Sequence, residues 1–227
     1  MKQYILLTIA VLSCSSAEAT QESISKHDQY LPVCGESGNE PESGINDEDL
    51  SNAVGVCLKI REIVDPTDGS LKRFTSTPSK ATVDALGYTI SDTPYNEGNT
   101  YAGISPWEPF ALFRQDGGKT MVTNGTEGQL ARWCQNLNHR AFGERSNWRR
   151  ATLDELKALY QFDNPYNEDM ADTFGWPTYI AYFSRTNVNS NFFSVDLFIG
   201  EVLSFSDYYS LYASCVSAQE LAYASNR

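Results

Sequence analysis

Histidine is almost missing from this sequence, with two in 227 residues, His27 and His139. The commonest general base and metal ligand is thus in short supply. No Gly-x-Ser-x-Gly, His-Glu-x-x-His, P-loop or dinucleotide fingerprint occurs, so the usual hydrolase, metalloprotease and nucleotide chemistries have no motif to rest on. Cys-x-x-Cys is absent, which removes redox-motif and zinc-ribbon readings. Basic charge is sparse: 17 Lys and Arg against 29 Asp and Glu give a formal net charge of -12. That field repels phosphate backbones and anionic headgroups, so nucleic acid is a poor partner, although a specific site can still lie within such a field. Beyond residue 20 no run is apolar enough to span a bilayer.

What is abundant is aromatic surface. Thirteen Tyr, 11 Phe and 4 Trp supply flat, amphipathic contact area, a balance that leans toward binding and away from catalysis. A hydrophobic fraction of 41% suits one compact domain or two small ones.

The first residues read as an export address. Met1-Lys2 is a minimal basic start, Tyr4 to Leu12 is an apolar run, and Ala17-Glu18-Ala19 gives the small-x-small pattern of a signal peptide spanning 1–19, cleaved before Thr20. Val11-Leu12-Ser13-Cys14 also resembles a bacterial lipobox, in which Cys14 becomes an acylated first residue and the membrane is touched only through that anchor. Both readings are open. Beyond Cys14, four cysteines make an even count that in an oxidising compartment reads as two disulfides with three possible pairings; the one adopted is Cys34 with Cys57 and Cys134 with Cys215.

Along the chain, 20–33 is a polar leader, part of an acidic, Gly-, Ser- and Asn-rich stretch that runs to about Asn52. A domain is expected over 34–217, with a tail at 218–227. Val54 to Ile63 is β-prone and Asp65 to Gly69 is a turn. From Ser70 to Gly128 the pattern reads as short strands separated by turns. Gln129 to Leu137 places Leu130, Trp133, Cys134 and Leu137 on one helical face. Thr152-Leu153-Asp154-Glu155 is a capping box that opens a second helix. Phe193, Val195 and Leu197 then alternate with Ser194, Asp196 and Phe198 in a strand pattern, and a turn at Ile199-Gly200 leads into Glu201 to Phe205. Two helices followed by hairpins describe an α+β fold.

Several words in consistent order carry a family resemblance: Phe110 to Gly117, Arg132-Trp133-Cys134-Gln135-Asn136-Leu137, Asn147 to Leu156, Phe174-Gly175-Trp176-Pro177-Thr178, and Ala213-Ser214-Cys215-Val216-Ser217. Together they resemble the bacterial C-type-lectin-like adhesion domains of intimin and invasin tips, related to DUF1566 domains. The likeness covers about two thirds of the chain. It implies a C-type-lectin-like domain with two helices against short twisted antiparallel sheets, and an adhesin-like role. The sequence departs from the family at two places. The W-R-L-P-T word carries Arg150 and Ala151, and the later tyrosine-tryptophan-serine-serine-threonine word is Tyr182-Phe183-Ser184-Arg185-Thr186, with a charge at Arg185.

Trp133, Trp148 and Trp176 read as core. The stretch Tyr179 to Tyr212 has the Tyr, Asn and Ser composition of a recognition surface. Its alternation turns about half of the rings inward, and the candidate ligand-binding residues are Tyr179, Tyr182, Tyr208 and Tyr209. No cofactor, metal site or catalytic residue is assigned. The calcium words of sugar-binding animal C-type lectins are absent, and Asp163, Asn164, Asn167, Glu168 and Asp169 lack EF-hand spacing and read as a solvated loop. His139 reads as a surface residue. The partner expected is a glycan or a surface protein, met in a secreted or cell-surface setting. Alternatives are a structural or accessory outer-membrane lipoprotein and, further off, an enzyme of the formylglycine-generating type, which needs free thiols.

Overall fold

The computed structural model describes residues 30–163 and 170–219, with side chains described to Gln161 and from Met170. The expected signal peptide, Cys14, the expected leader to residue 29, loop residues 164–169 and the tail from residue 220 lie outside the described residues. Strands β1 (Ile60–Val64), β2 (Leu71–Thr75), β7 (Arg149–Arg150) and β12 (Cys215–Ala218) form an antiparallel sheet in the order β1-β2-β12-β7. The turn foreseen at Asp65 to Gly69 joins β1 to β2: the Asp65 carboxylate accepts from the Thr67 backbone N–H at 2.8 Å, and the Gly69 N–H donates to the Asp65 carbonyl. A second sheet runs β10 (Val202–Ser206), β9 (Asn191–Val195), β8 (Tyr182–Val188), all antiparallel, with β8 bulged between Phe183 and Asn187. β5 (Gly103–Ile104), β6 (Ala111–Arg114) and β11 (Ser210–Leu211) make a third sheet, while β3 (Thr89–Ile90) and β4 (Thr100–Tyr101) pair in parallel.

Among the described residues four α-helices accompany these sheets: α1 (Lys80–Ala85), α2 (Gln129–His139), α3 (Leu153–Asp163) and α4 (Met170–Phe174). The architecture is α+β. α2 follows the apolar face read from its sequence, with Leu130, Trp133, Cys134 and Leu137 all buried. At the start of α3 the capping box forms: Glu155 N–H donates to Thr152 Oγ1 at 3.2 Å, and Thr152 N–H donates to Glu155 Oε2 at 2.9 Å. α1 falls where short strands were expected. Its six residues are too few to show a helical period, but Ser79 caps it by accepting from the Thr82 N–H at 3.0 Å.

Successive strand residues serve different cores, because side chains alternate across a pleated strand. Phe183, Phe192, Phe113 and Cys215 join Trp133 and Leu137 of α2 in one cluster. Tyr182, Val195, Leu112 and Val216 join Leu156 and Leu159 of α3, with Trp176, in another. Leu31 and Val33, ahead of the expected start of the domain, are buried in the first cluster, and Val33 bridges Leu58. β12 continues to Ala218, one residue past the expected domain end.

Both expected disulfides are present among the described residues. Cys34 is bonded to Cys57, fastening the incoming segment, and Cys134 to Cys215, fastening α2 to β12 across a separation of 81 residues. Trp133, Trp148 and Trp176 are all core residues, and His139 is on the surface. None of the described helices is long and apolar enough to cross a membrane.

Candidate ligand-binding surface

The sheet β8-β9-β10 positions the candidate tyrosines, and it separates them. Tyr179 lies in the loop before β8, beside the β9–β10 turn. Tyr208 and Tyr209 follow β10, at the other end of that strand. Five residues of β10 lie between, about 15 Å at ordinary strand rise.

Tyr208 and Tyr209 are exposed and stacked on each other, with ring centroids 4.9 Å apart and planes 25° from parallel. Tyr209 also packs on Phe205 of β10 at 5.4 Å. Their loop is held from below. The Asp207 carbonyl accepts the N–H groups of Gln115 and Asp116, and the Asp207 N–H donates to the Ser190 carbonyl. Burial, then the nearby Asp116 carboxylate, raises the pKa of Asp207.

At the other end, Tyr179 is 72% exposed and lines a cleft of about 300 Å³ with Ala171, Asp172, Thr178, Asp196 and Phe198. Asp196 shapes one wall. Its Oδ1 accepts the N–H of Phe198 at 2.8 Å and of Ile199 at 3.2 Å, closing the β9–β10 turn and presenting the Phe198 ring to solvent. Gly200, with φ +75°, completes that turn where an added Cβ would meet the Tyr160 ring at 2.2 Å. Two rings and two carboxylates therefore share one concave surface, offering flat apolar faces beside hydrogen-bond acceptors.

Tyr182 is a correction to the sequence reading. It is fully buried, its ring lies 5.4 Å from that of Tyr212, and its hydroxyl donates to the Pro177 carbonyl at 2.7 Å. As the first residue of β8 it points into the α3-side core while Phe183 points the other way, so it cannot meet a ligand.

Trp107 was not singled out from the sequence, yet it is 67% exposed. It precedes Glu108, whose Oε1 accepts from the Tyr212 hydroxyl at 2.7 Å and the Tyr179 N–H at 3.4 Å, so the Trp107 loop adjoins the Tyr179 loop. The available signal was its place in Ser105-Pro106-Trp107-Glu108-Pro109, between two prolines and in no strand or helix period. Phe198 was read as a strand residue; the turn makes it a rim residue instead.

Among the described residues no group of three or more His, Cys, Asp and Glu could hold a metal ion. No protein-family model and no curated protein matches the chain.

Proposed function

We propose that the chain is a non-enzymatic, extracytoplasmic recognition module, a C-type-lectin-like domain of adhesin type that binds a glycan through exposed rings on its loops. The observation that carries this reading is the cleft where Tyr179 and Phe198 stand beside Asp172 and Asp196. Sugar rings present apolar C–H faces to aromatic planes and hydroxyl donors to carboxylates, and this cleft offers both. Tyr208 and Tyr209 supply a second aromatic platform. Two disulfides support a setting outside the reducing cytoplasm. Because all four described cysteines are disulfide-bonded, they offer no thiol for chemistry of the formylglycine-generating kind.

A glycan array probed with and without EDTA tests the reading. Hits insensitive to EDTA and lost in Tyr179→Ala support it. An array without hits, with binding found only on protein surfaces, overturns the glycan assignment in favour of a protein ligand.

A further inference from the structure

The geometry points to an oxyanion-binding site in a second cleft, where the guanidinium groups of Arg150 and Arg185 receive a carboxylate, sulfate or phosphate group of a ligand. This cleft, of about 380 Å³, lies between α2, β7 and β8, away from Tyr179 and Phe198, and goes beyond the glycan reading. Arg149, Arg150 and Arg185 line it together with Thr126, Gln135 and Trp148. No Asp or Glu lines it, although acidic residues outnumber basic ones by 29 to 17 in the whole chain. A cleft whose charged lining residues are all arginine, in a strongly anionic protein, runs against the field around it, and a local anion is what its charge calls for.

The three arginines are not equivalent. Arg149 is satisfied, with both terminal nitrogens on Glu155 at 2.8 and 2.6 Å. Arg150 has a neutral partner, donating from Nη1 to Gln115 Oε1 at 2.8 Å. Arg185 is exposed, and its guanidinium has no hydrogen-bond or ion-pair partner among the described residues. Burial, then repulsion from Arg185, pushes the pKa of Arg150 down to about 10. An anion between the two would relieve that repulsion.

The site is also pre-organised. Gln115 is fully buried and donates from Nε2 to the Ser184 carbonyl at 2.9 Å, so one side chain ties the Arg150 head to the strand that carries Arg185. The Arg185 N–H donates to the Ala151 carbonyl at 2.7 Å, setting the two backbone segments side by side. Gly125, with φ +76°, lets the loop close over Arg150: a Cβ there would fall 2.0 Å from Nη1. The Gln135 amide adds a neutral donor at the rim, while the Thr126 hydroxyl donates to Asn124 Oδ1 at 2.7 Å.

Titration of the full folded chain with sodium sulfate, at ionic strength held constant with sodium chloride and followed by amide NMR shifts, tests the assignment. Saturable shifts are expected at Thr126, Gln135 and Arg185. Arg185→Ala, which removes no side-chain hydrogen bond or ion pair among the described residues, is expected to weaken sulfate about tenfold, the loss of one charge-assisted bond. Arg150→Gln should do the same, and Lys157→Ala, an exposed charge outside the cleft, should leave binding intact. Parallel titrations with phosphate and acetate assign the group. Shifts that are scattered and do not saturate, or sulfate binding unchanged in Arg185→Ala, overturn the site. Tyr179→Ala should not alter sulfate binding, so the fate of the glycan reading is read separately.

Discussion

Glu155 accepts both terminal nitrogens of Arg149 while the same carboxylate closes the capping box of α3, and Lys72 Nζ stands 3.4 Å away. Burial alone would raise its pKa. The Arg149 hydrogen bond, the Thr152 N–H and the charges of Arg149 and Lys72 overcome burial and hold it at about 2. The unfolded chain, with its Glu near 4.5, takes up the proton first as pH falls. The stabilisation is therefore full above about pH 4.5 and is lost between there and about 2, amounting to up to about 3 kcal/mol. Urea unfolding of wild type and Glu155→Gln from pH 6 to pH 2.5 should show a gap that narrows as the acid limb is reached.

The two disulfides should differ in their contribution. With separations of 81 and 23 residues, loop-entropy arithmetic gives about 4.5 kcal/mol for Cys134–Cys215 and about 3.4 kcal/mol for Cys34–Cys57. Paired alanine variants, compared by urea midpoint and slope, should rank in that order. The reverse ranking would place the larger constraint at the entry segment.

Tyr179 and Tyr182 should part sharply under mutation. Tyr182→Ala opens a cavity in the core and is expected to cost about 3–5 kcal/mol. Tyr182→Phe should cost about 1 kcal/mol, the net worth of its bond to Pro177. Tyr179→Ala should stay within about 0.5 kcal/mol of wild type.

Gly128 is the N-cap of α2 with φ -65°, a backbone conformation that alanine can adopt, although alanine is a poorer cap than glycine. Its added Cβ would nevertheless lie 2.0 Å from the Gln115 carbonyl oxygen and 2.5 Å from the carbonyl carbon. Backbone cannot yield as a side chain tip does, and Gly128→Ala should cost about 2 kcal/mol, lowering Tm by roughly 4–8 °C.

What could be read from the sequence was what is local. The Thr152–Glu155 box and the apolar face of α2 each lie within one element, and each formed where its residues placed it. The alternation through Phe193, Val195 and Leu197 did not hold as read: β9 ends at Val195, and Phe192 and Ser194 are buried where Phe193 is half-buried. The two cysteine pairs also follow the adopted pairing. α1 escaped because six residues hold less than two turns. Tyr182 escaped because alternation tells that half of a strand's residues turn inward but not which half, and that choice is made by the pairing of β8 with β9. The Tyr179 cleft joins residues 171 to 198 through a turn and a short helix, and the Arg150–Arg185 pair meets only because Gln115 and Ala151 bridge separate segments. Such meetings depend on tertiary closure, which has no periodic trace.

β12 is the last strand described, yet it occupies an interior place, between β2 and β7. The principal sheet therefore stays divided until residues near 218 have emerged from the ribosome, and Cys134 cannot form its native disulfide until Cys215 is made. Completion of the sheet therefore waits on a strand that follows every other described element, and until then β2 and β7 have no shared neighbour.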